Sequence, residues 1–259
     1  MDSAWNLDFS YRYFRQMARA IKANFESRLV SEVPRILDKI ARPTVVLRHD
    51  MDVSPKRALR MAEIENEFGI RATYMVMTRP LLYSVEDKSS RDMLQQLINM
   101  GHEVGLHFDL DDNQRHRGHG IGSVEAKIYS ACKQLESIIG QPVLSLSFHN
   151  PMPQFLRGPL TICGRVNAYS RELMAWYVSD SKGCWRDGEP LPKLLSPDKS
   201  LLQLLVHPIW WGDKHMLPED RLQDFFDGET KGQSTEYIKQ FDAVLANVLP
   251  SIRRKGLQN

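Results

Sequence analysis

The chain has 259 residues, 42% of them apolar and 25% charged. That is enough length and apolar content to bury one large core, and it excludes disorder, collagen and coiled coil. Thirty-four basic residues stand against 32 acidic ones, a net charge of +2, which is too balanced for nucleic acid or an anionic membrane to be the main partner.

Residues 9–24 carry Phe9, Tyr13, Met17 and Ile21 at four-residue steps, which predicts an amphipathic helix. Pro34 and Pro43 punctuate the next stretch, so 1–43 reads as an N-terminal helical extension. From Thr44 the pattern turns to strand then helix, repeatedly. A short β-rich strand covers 44–48. Ser54 and Pro55 look like an N-cap with proline at the first helical position, opening a helix that ends near Gly69. A strand is expected over 72–78 and a helix over 90–100, stopped by Gly101. Next come a strand over 103–107, a helix over 124–139 stopped by Gly140, and a strand over 143–148. Weaker strands are expected near 166–169 and 175–179. A strongly apolar strand covers 201–207. A last helix spans 234–254, with Tyr237, Phe241, Val244 and Val248 on one face.

Alternating strands and helices imply an α/β fold with a mostly parallel sheet of six or seven strands, either open or an incomplete barrel. Its polar residues cluster at the C-terminal strand ends, where α/β folds place their active sites. Arg48-His49-Asp50-Met51-Asp52 ends the first core strand. Alternation puts Arg48, Asp50 and Asp52 on one face and turns His49 away. Two carboxylates so close repel unless a cation lies between them or one holds a proton. His107 ends the third strand, with Gly105 leaving room on the same face. Imidazole and carboxylate at neighbouring strand ends suit zinc or a similar divalent ion. Asp109, Asp111 and Asp112 come next in a polar loop where at least one should only be solvated. His149 and His207 end two further strands. One histidine at a strand end is commonly structural; three, His107, His149 and His207, form a pattern. His102 reads as a structural hydrogen-bonding residue, and His116, His119 and His215 as solvated loop residues.

Taken in chain order, RHDMD (48–52), GHEVGLH (101–107), SFHNP (147–151), SDSKGCW (179–185) and HPIWW (207–211) resemble the polysaccharide deacetylase (NodB-homology) superfamily. The resemblance covers about 44–211. More narrowly it is to deacetylase-like proteins of surface-polysaccharide, including lipopolysaccharide and O-antigen, biosynthesis. It implies a distorted, incomplete (β/α) barrel of about seven parallel strands; the N- and C-terminal helices read above flank it, and the chain length favours one domain over 1–259. The resemblance also implies a metal-dependent hydrolase that removes an N-acetyl group from an amino sugar. By position, Asp50 corresponds to the general base and Asp52 to the metal-binding carboxylate. His107 matches the first metal histidine, His207 the general acid, and Asp180 the acid's support. Two places depart from the pattern. The second metal histidine is Asp111 here, and the arginine that holds the base is His149. Either Asp111 or His149 then supplies the third ligand. His149 is preferred, because imidazole binds zinc well at neutral pH and adds no second negative charge. Arg48 is then free to pair with Asp50.

The expected cofactor is Zn2+ or another divalent transition metal. Trp176, Tyr177, Trp185, Trp210 and Trp211 are candidates to line the sugar site, with Tyr177, Trp185 and Trp210 put first, since aromatic faces stack on sugar rings, although core packing accounts for about half of them. Three cysteines (Cys132, Cys163, Cys184) without close pairing, and a first segment without a secretory pattern, point to the cytoplasm. No run of 18 apolar residues exists, so no transmembrane segment is expected. A cytoplasmic enzyme would suit a nucleotide- or lipid-linked sugar. The rival readings are a metal hydrolase of a non-sugar amide, and a non-catalytic sugar binder or assembly partner on the same barrel.

Overall fold

A computed structural model describes residues 8–110 and 121–229. The expected helix over 234–254, Asp111, His116 and His119 lie outside the described residues. In chain order the elements are α1 (Tyr11–Asn24), β1 (Glu26–Arg28), the short α2 (Val33–Ile36), β2 (Thr44–Met51), α3 (Pro55–Glu67), β3 (Thr73–Val76), α4 (Lys88–Asn99), β4 (Glu103–Asp109), α5 (Ile121–Ile139), β5 (Ser145–His149), β6 (Thr161–Ile162), β7 (Arg165–Asn167), β8 (Tyr177–Ser179), α6 (Pro190–Leu195), β9 (Leu201–Val206) and α7 (Pro218–Glu229).

Neighbouring strands run β6-β7-β5-β4-β3-β2-β9-β8. The seven from β7 to β8 pair in parallel, as expected of a distorted, incomplete barrel. Two strands were not expected. Three-residue β1 pairs in parallel with the start of β2, Glu26 opposite Thr44, in the stretch before β3 begins. Two-residue β6 closes an antiparallel turn onto β7. Both are too short to show an alternating pattern. The path leaves β6 and β8 as edges. Gln203 of β9 bonds the segment joining β7 to β8, its Nε2 donating to the carbonyls of Ala168 (2.9 Å) and Leu173 (3.2 Å).

Helix starts obey their local chemistry. Ser10 caps α1, its Oγ accepting from Tyr13 N, and Ser54 caps α3 in the same way through Arg57 N, with Pro55 at the first position. α7 was not expected, although Pro218 followed by Glu219 and Asp220 is a legible helix start. The two sides of β2 pack differently. Val45 and Leu47 join the large cluster under α1, α3 and α4. Val46 joins a smaller one with Met75, Val166, Ala168 and Leu173, into which Val30 and Val33 from the segment before β2 also pack. The stretch read as an extension therefore supplies α1, β1 and part of this second core.

Gly105, on the His107 side of β4, is needed for close approach. A Cβ there would meet Ser145 Oγ at 2.5 Å, Met75 Sδ at 2.6 Å and the Ser145 carbonyl at 3.2 Å. Side chains can yield, but the neighbouring backbone cannot without parting β4 from β5. Gly105→Ala is expected to cost about 1–3 kcal/mol of stability, read as a lower denaturant midpoint; an unchanged midpoint would mean the strands separate freely.

Candidate active site

The C-terminal ends of β2, β4, β5 and β9 bring their polar side chains together, and β2 sets the pattern. Arg48 and Asp50 share a face, and the guanidinium grips the carboxylate with two bonds, Nε to Oδ1 at 2.8 Å and Nη2 to Oδ2 at 2.6 Å. Both side chains are buried. Burial alone would raise the Asp50 pKa, but the Arg48 charge and bonds, joined by the charges of His107 and His207, more than offset it, so the carboxyl lies below its usual range. The Tyr169 ring lies 4.4 Å from the guanidinium carbon, a cation–π contact that helps hold the buried charge. His49 points the other way, as alternation requires. Its Nε2 meets Glu65 Oε1 at 2.5 Å and its ring stacks on Tyr74.

Asp52, one step beyond β2, meets the two histidines. Its Oδ1 lies 3.0 Å from His107 Nε2 and 3.4 Å from His149 Nδ1. Ligand atoms of the three residues all lie within 4.8 Å of one another, the one such set among the described residues. Neither contact makes a hydrogen bond, so Asp52 Oδ1 is buried without a donor. A buried carboxylate oxygen in that state is costly alone and is what a cation would relieve. One carboxylate with two imidazoles is a donor set suited to zinc or a similar transition metal, so the residues fit the ion. His107 is oriented from behind, its Nδ1 2.7 Å from Ser147 Oγ, leaving Nε2 to face Asp52. His149 is placed by a left-handed turn at Asn150 (φ 49°), a conformation Asn tolerates. Burial pulls the His149 pKa down, and Asp52 pulls it up further, for a net rise. Asp52 itself is pushed up by burial but held well below its usual range by His149 and His107. A metal ion at this set would therefore compete with a proton for His149.

His207 comes directly after β9. Its Nδ1 lies 2.6 Å from Asp180 Oδ1, and its backbone N–H donates to both Asp180 oxygens at 2.9 and 3.0 Å. The bond to Nδ1 leaves Nε2 for the site. Burial would depress the His207 pKa, but the Asp180 bond and charge, joined by Asp52 and Asp50, raise it to about 9.

The other expected site residues fall elsewhere. Trp185 (1% exposed) and Trp210 (6%) are corrected from sugar-facing to core positions; Trp185 stacks on Phe9 and meets Trp211 edge-on. Tyr177 is half-buried within electrostatic reach of Arg48 and Tyr169. His102 is structural, as expected, its Nδ1 accepting from Ala72 N. His215, expected to be only solvated, accepts from Phe9 N through Nδ1 at 3.2 Å. Ser147 and Tyr169 were missed. Ser147 was legible, two residues before His149 on the same strand face. Tyr169 was not, since it reaches Arg48 from outside any strand.

No protein-family model matches the sequence, and none of the curated proteins does. The chain is similar to several solved structures of deacetylases and related carbohydrate esterases. A Streptococcus pyogenes deacetylase in complex with acetate is 16% identical over 81% of this chain and 84% of that one, with a TM-score of 0.44. The peptidoglycan deacetylase PdaC from Bacillus subtilis is 14% identical over 85% and 98%, also at 0.44. A CE4-family pseudoenzyme from Bacillus anthracis is 13% identical over 80% and 60%, at 0.39. No helix among the described residues is long and apolar enough to cross a membrane.

Proposed function

We propose that this protein is a metal-dependent deacetylase that removes an N-acetyl, or similar N-acyl, group from an amino sugar. One observation carries the reading. The Asp52–His107–His149 set is flanked by a carboxylate gripped by a buried arginine, Asp50, and by an imidazole paired with a buried carboxylate, His207. Amide hydrolysis needs those three functions together: an electrophile, a base and an acid.

A divalent ion on Asp52, His107 and His149 would supply Lewis acidity toward the amide oxygen and water. Asp50 takes a proton from the attacking water as its oxygen bonds to the acyl carbon. Arg48 keeps Asp50 ionised and fixes its direction. His207 passes its Nε2 proton to the sugar nitrogen as the carbon–nitrogen bond breaks, and Asp180 stabilises the charged imidazole before that transfer. The products are a carboxylic acid and a free amine. The motif resemblance supports a place in surface-polysaccharide biosynthesis. A sugar precursor linked to a nucleotide or lipid, handled in the cytoplasm, is the substrate we assign.

The test is acetate release from N-acetylated amino sugars, sugar nucleotides first. Release that stops with a chelator and returns with zinc or cobalt is expected. Saturable sugar binding with no acetate formed, at any metal, would overturn the proposal in favour of a binding protein.

The pH profile adds a second check. His207 acts as its protonated form, and its pKa is raised, so kcat should hold at neutral pH and fall as pH rises through about 9. Asp180→Asn removes the charge that raises it. The alkaline limb should then move down toward the ordinary histidine value of about 6.5. The stabilisation from this pair has the same sign: fully present below pH 6.5 and lost as pH rises through about 9. An alkaline limb that stays in place in Asp180→Asn would remove His207 from the acid's role.

A further inference from the structure

We infer that Trp211 is a positioning residue for the acid: its indole N–H selects which oxygen of Asp180 faces His207, and α1 holds the indole there. The inference rests on reading His207 as the general acid.

Asp180 is fully buried. The backbone N–H of His207 reaches its two oxygens almost equally, at 2.9 and 3.0 Å, and so does not distinguish them. The side chains do. His207 Nδ1 lies against Oδ1 at 2.6 Å, and Trp211 Nε1 donates to Oδ2 at 2.9 Å. Without the indole, Oδ2 keeps only the shared backbone donor and the carboxylate can turn away from the imidazole. The groups with charge bearing on His207 are Asp180, beyond β8, and Asp50 and Asp52 at the end of β2; of these carboxylates only Asp180 bonds it.

The packing is built around this indole. Trp211 is completely buried. Phe9 and Phe14 meet it edge-on at 5.3 and 5.2 Å, and Tyr13 stacks at 6.4 Å. The start of α1 also grips the turn through its backbone. Tyr11 N donates to the Gly212 carbonyl at 2.7 Å, and Gly212 N to the Phe9 carbonyl at 3.2 Å. Arg57 donates to the Trp211 carbonyl at 2.9 Å. A bare aromatic core would be served by phenylalanine at this place. Trp185 and Trp210 show the contrast: they are buried in the same region, and neither indole nitrogen has a hydrogen-bond partner. α1 therefore does more than cover the barrel, because the residue it clamps holds the acid's partner.

Trp211→Phe keeps a six-membered aromatic ring and removes the pyrrole ring with its donor. In the protein as purified, with its metal content measured, proton NMR should show the His207 Nδ1–H as a slowly exchanging downfield signal. That signal is expected to broaden or vanish in Trp211→Phe and to persist in Trp185→Phe, a similar loss from the same aromatic cluster. For acetate release, kcat is expected to fall roughly tenfold with KM unchanged. A sharp Nδ1–H signal and unchanged kcat in Trp211→Phe would overturn the inference. Should that variant fail to fold, the wild type decides. The Trp211 indole N–H resonance is expected to shift as His207 titrates, while those of Trp185 and Trp210 stay; an invariant Trp211 signal would overturn it. The NMR arms need no turnover, so absent acetate release would sink the enzymatic reading and leave this one to be judged on its signals.

Discussion

Elemental analysis of the purified protein is expected to find about one divalent transition-metal ion per chain, lost in Asp52→Ala, His107→Ala and His149→Ala alike. The three ligand atoms lie within 4.8 Å of one another before any ion is considered. Each supplies one coordination place in a set of three, and structural and catalytic zinc sites need at least that number. His149→Ala is the informative variant, because it separates the two sources of the third ligand. A protein that uses Asp111 would keep its ion without His149. Full occupancy in His149→Ala would end the His149 assignment, although the other two ligands would stand. Ser147→Ala should behave differently. It leaves all three ligands and removes only the partner of His107 Nδ1, so metal affinity is expected to fall about 10–100-fold. Metal absent from the wild type, and not taken up on titration, would point to a sugar-binding protein on a deacetylase-like barrel.

Much of this site is written in local spacing. Strand alternation alone puts Arg48 and Asp50 on one face and His49 on the other, and the two bonds from Arg48 arise from a separation of two residues. His107, His149 and His207 could be paired with strand ends because each ends an apolar run. The strands that escaped notice are those with little local signal. β1 and β6 are two or three residues long, and their identity as strands comes from the neighbour they pair with. The aromatic residues fared worse for a related reason. An indole suits a sugar pocket or a core equally well by composition, and only three-dimensional contacts decide. Trp185 went to the core because Phe9, from the far N-terminal part of the chain, stacks on it. The same remoteness hid Trp211. Its place in HPIWW was visible, but its bond to Asp180 depends on how α1 closes over the turn.

Asp50→Asn is expected to lower kcat by about 10²–10⁴-fold while leaving metal content at the wild-type level. The amide keeps the size of the carboxylate but cannot accept a proton from water. The three residues proposed as ligands, Asp52, His107 and His149, are untouched, so a loss of both metal and activity would mean that Asp50 is a ligand instead of a base. Arg48→Met separates the base from its support. Burial favours a neutral Asp50, and the Arg48 charge is the largest influence opposing it. With Arg48 gone the carboxyl pKa rises, so the acid limb of the rate profile should move to higher pH. Metal should stay bound. Breaking a buried pair also leaves one charge uncompensated, at a cost of about 3–5 kcal/mol in stability, read by denaturant melt. Arg48→Lys is not expected to rescue either property fully, because an ammonium cannot reproduce the two-bond grip of Nε and Nη2 on the two oxygens. An acid limb that does not move in a folded Arg48→Met protein would show that Asp50 is kept ionised by something other than Arg48. The base would then owe its charge to the His107 side of the site, and the deacetylase reading would rest on the metal ion and His207 alone.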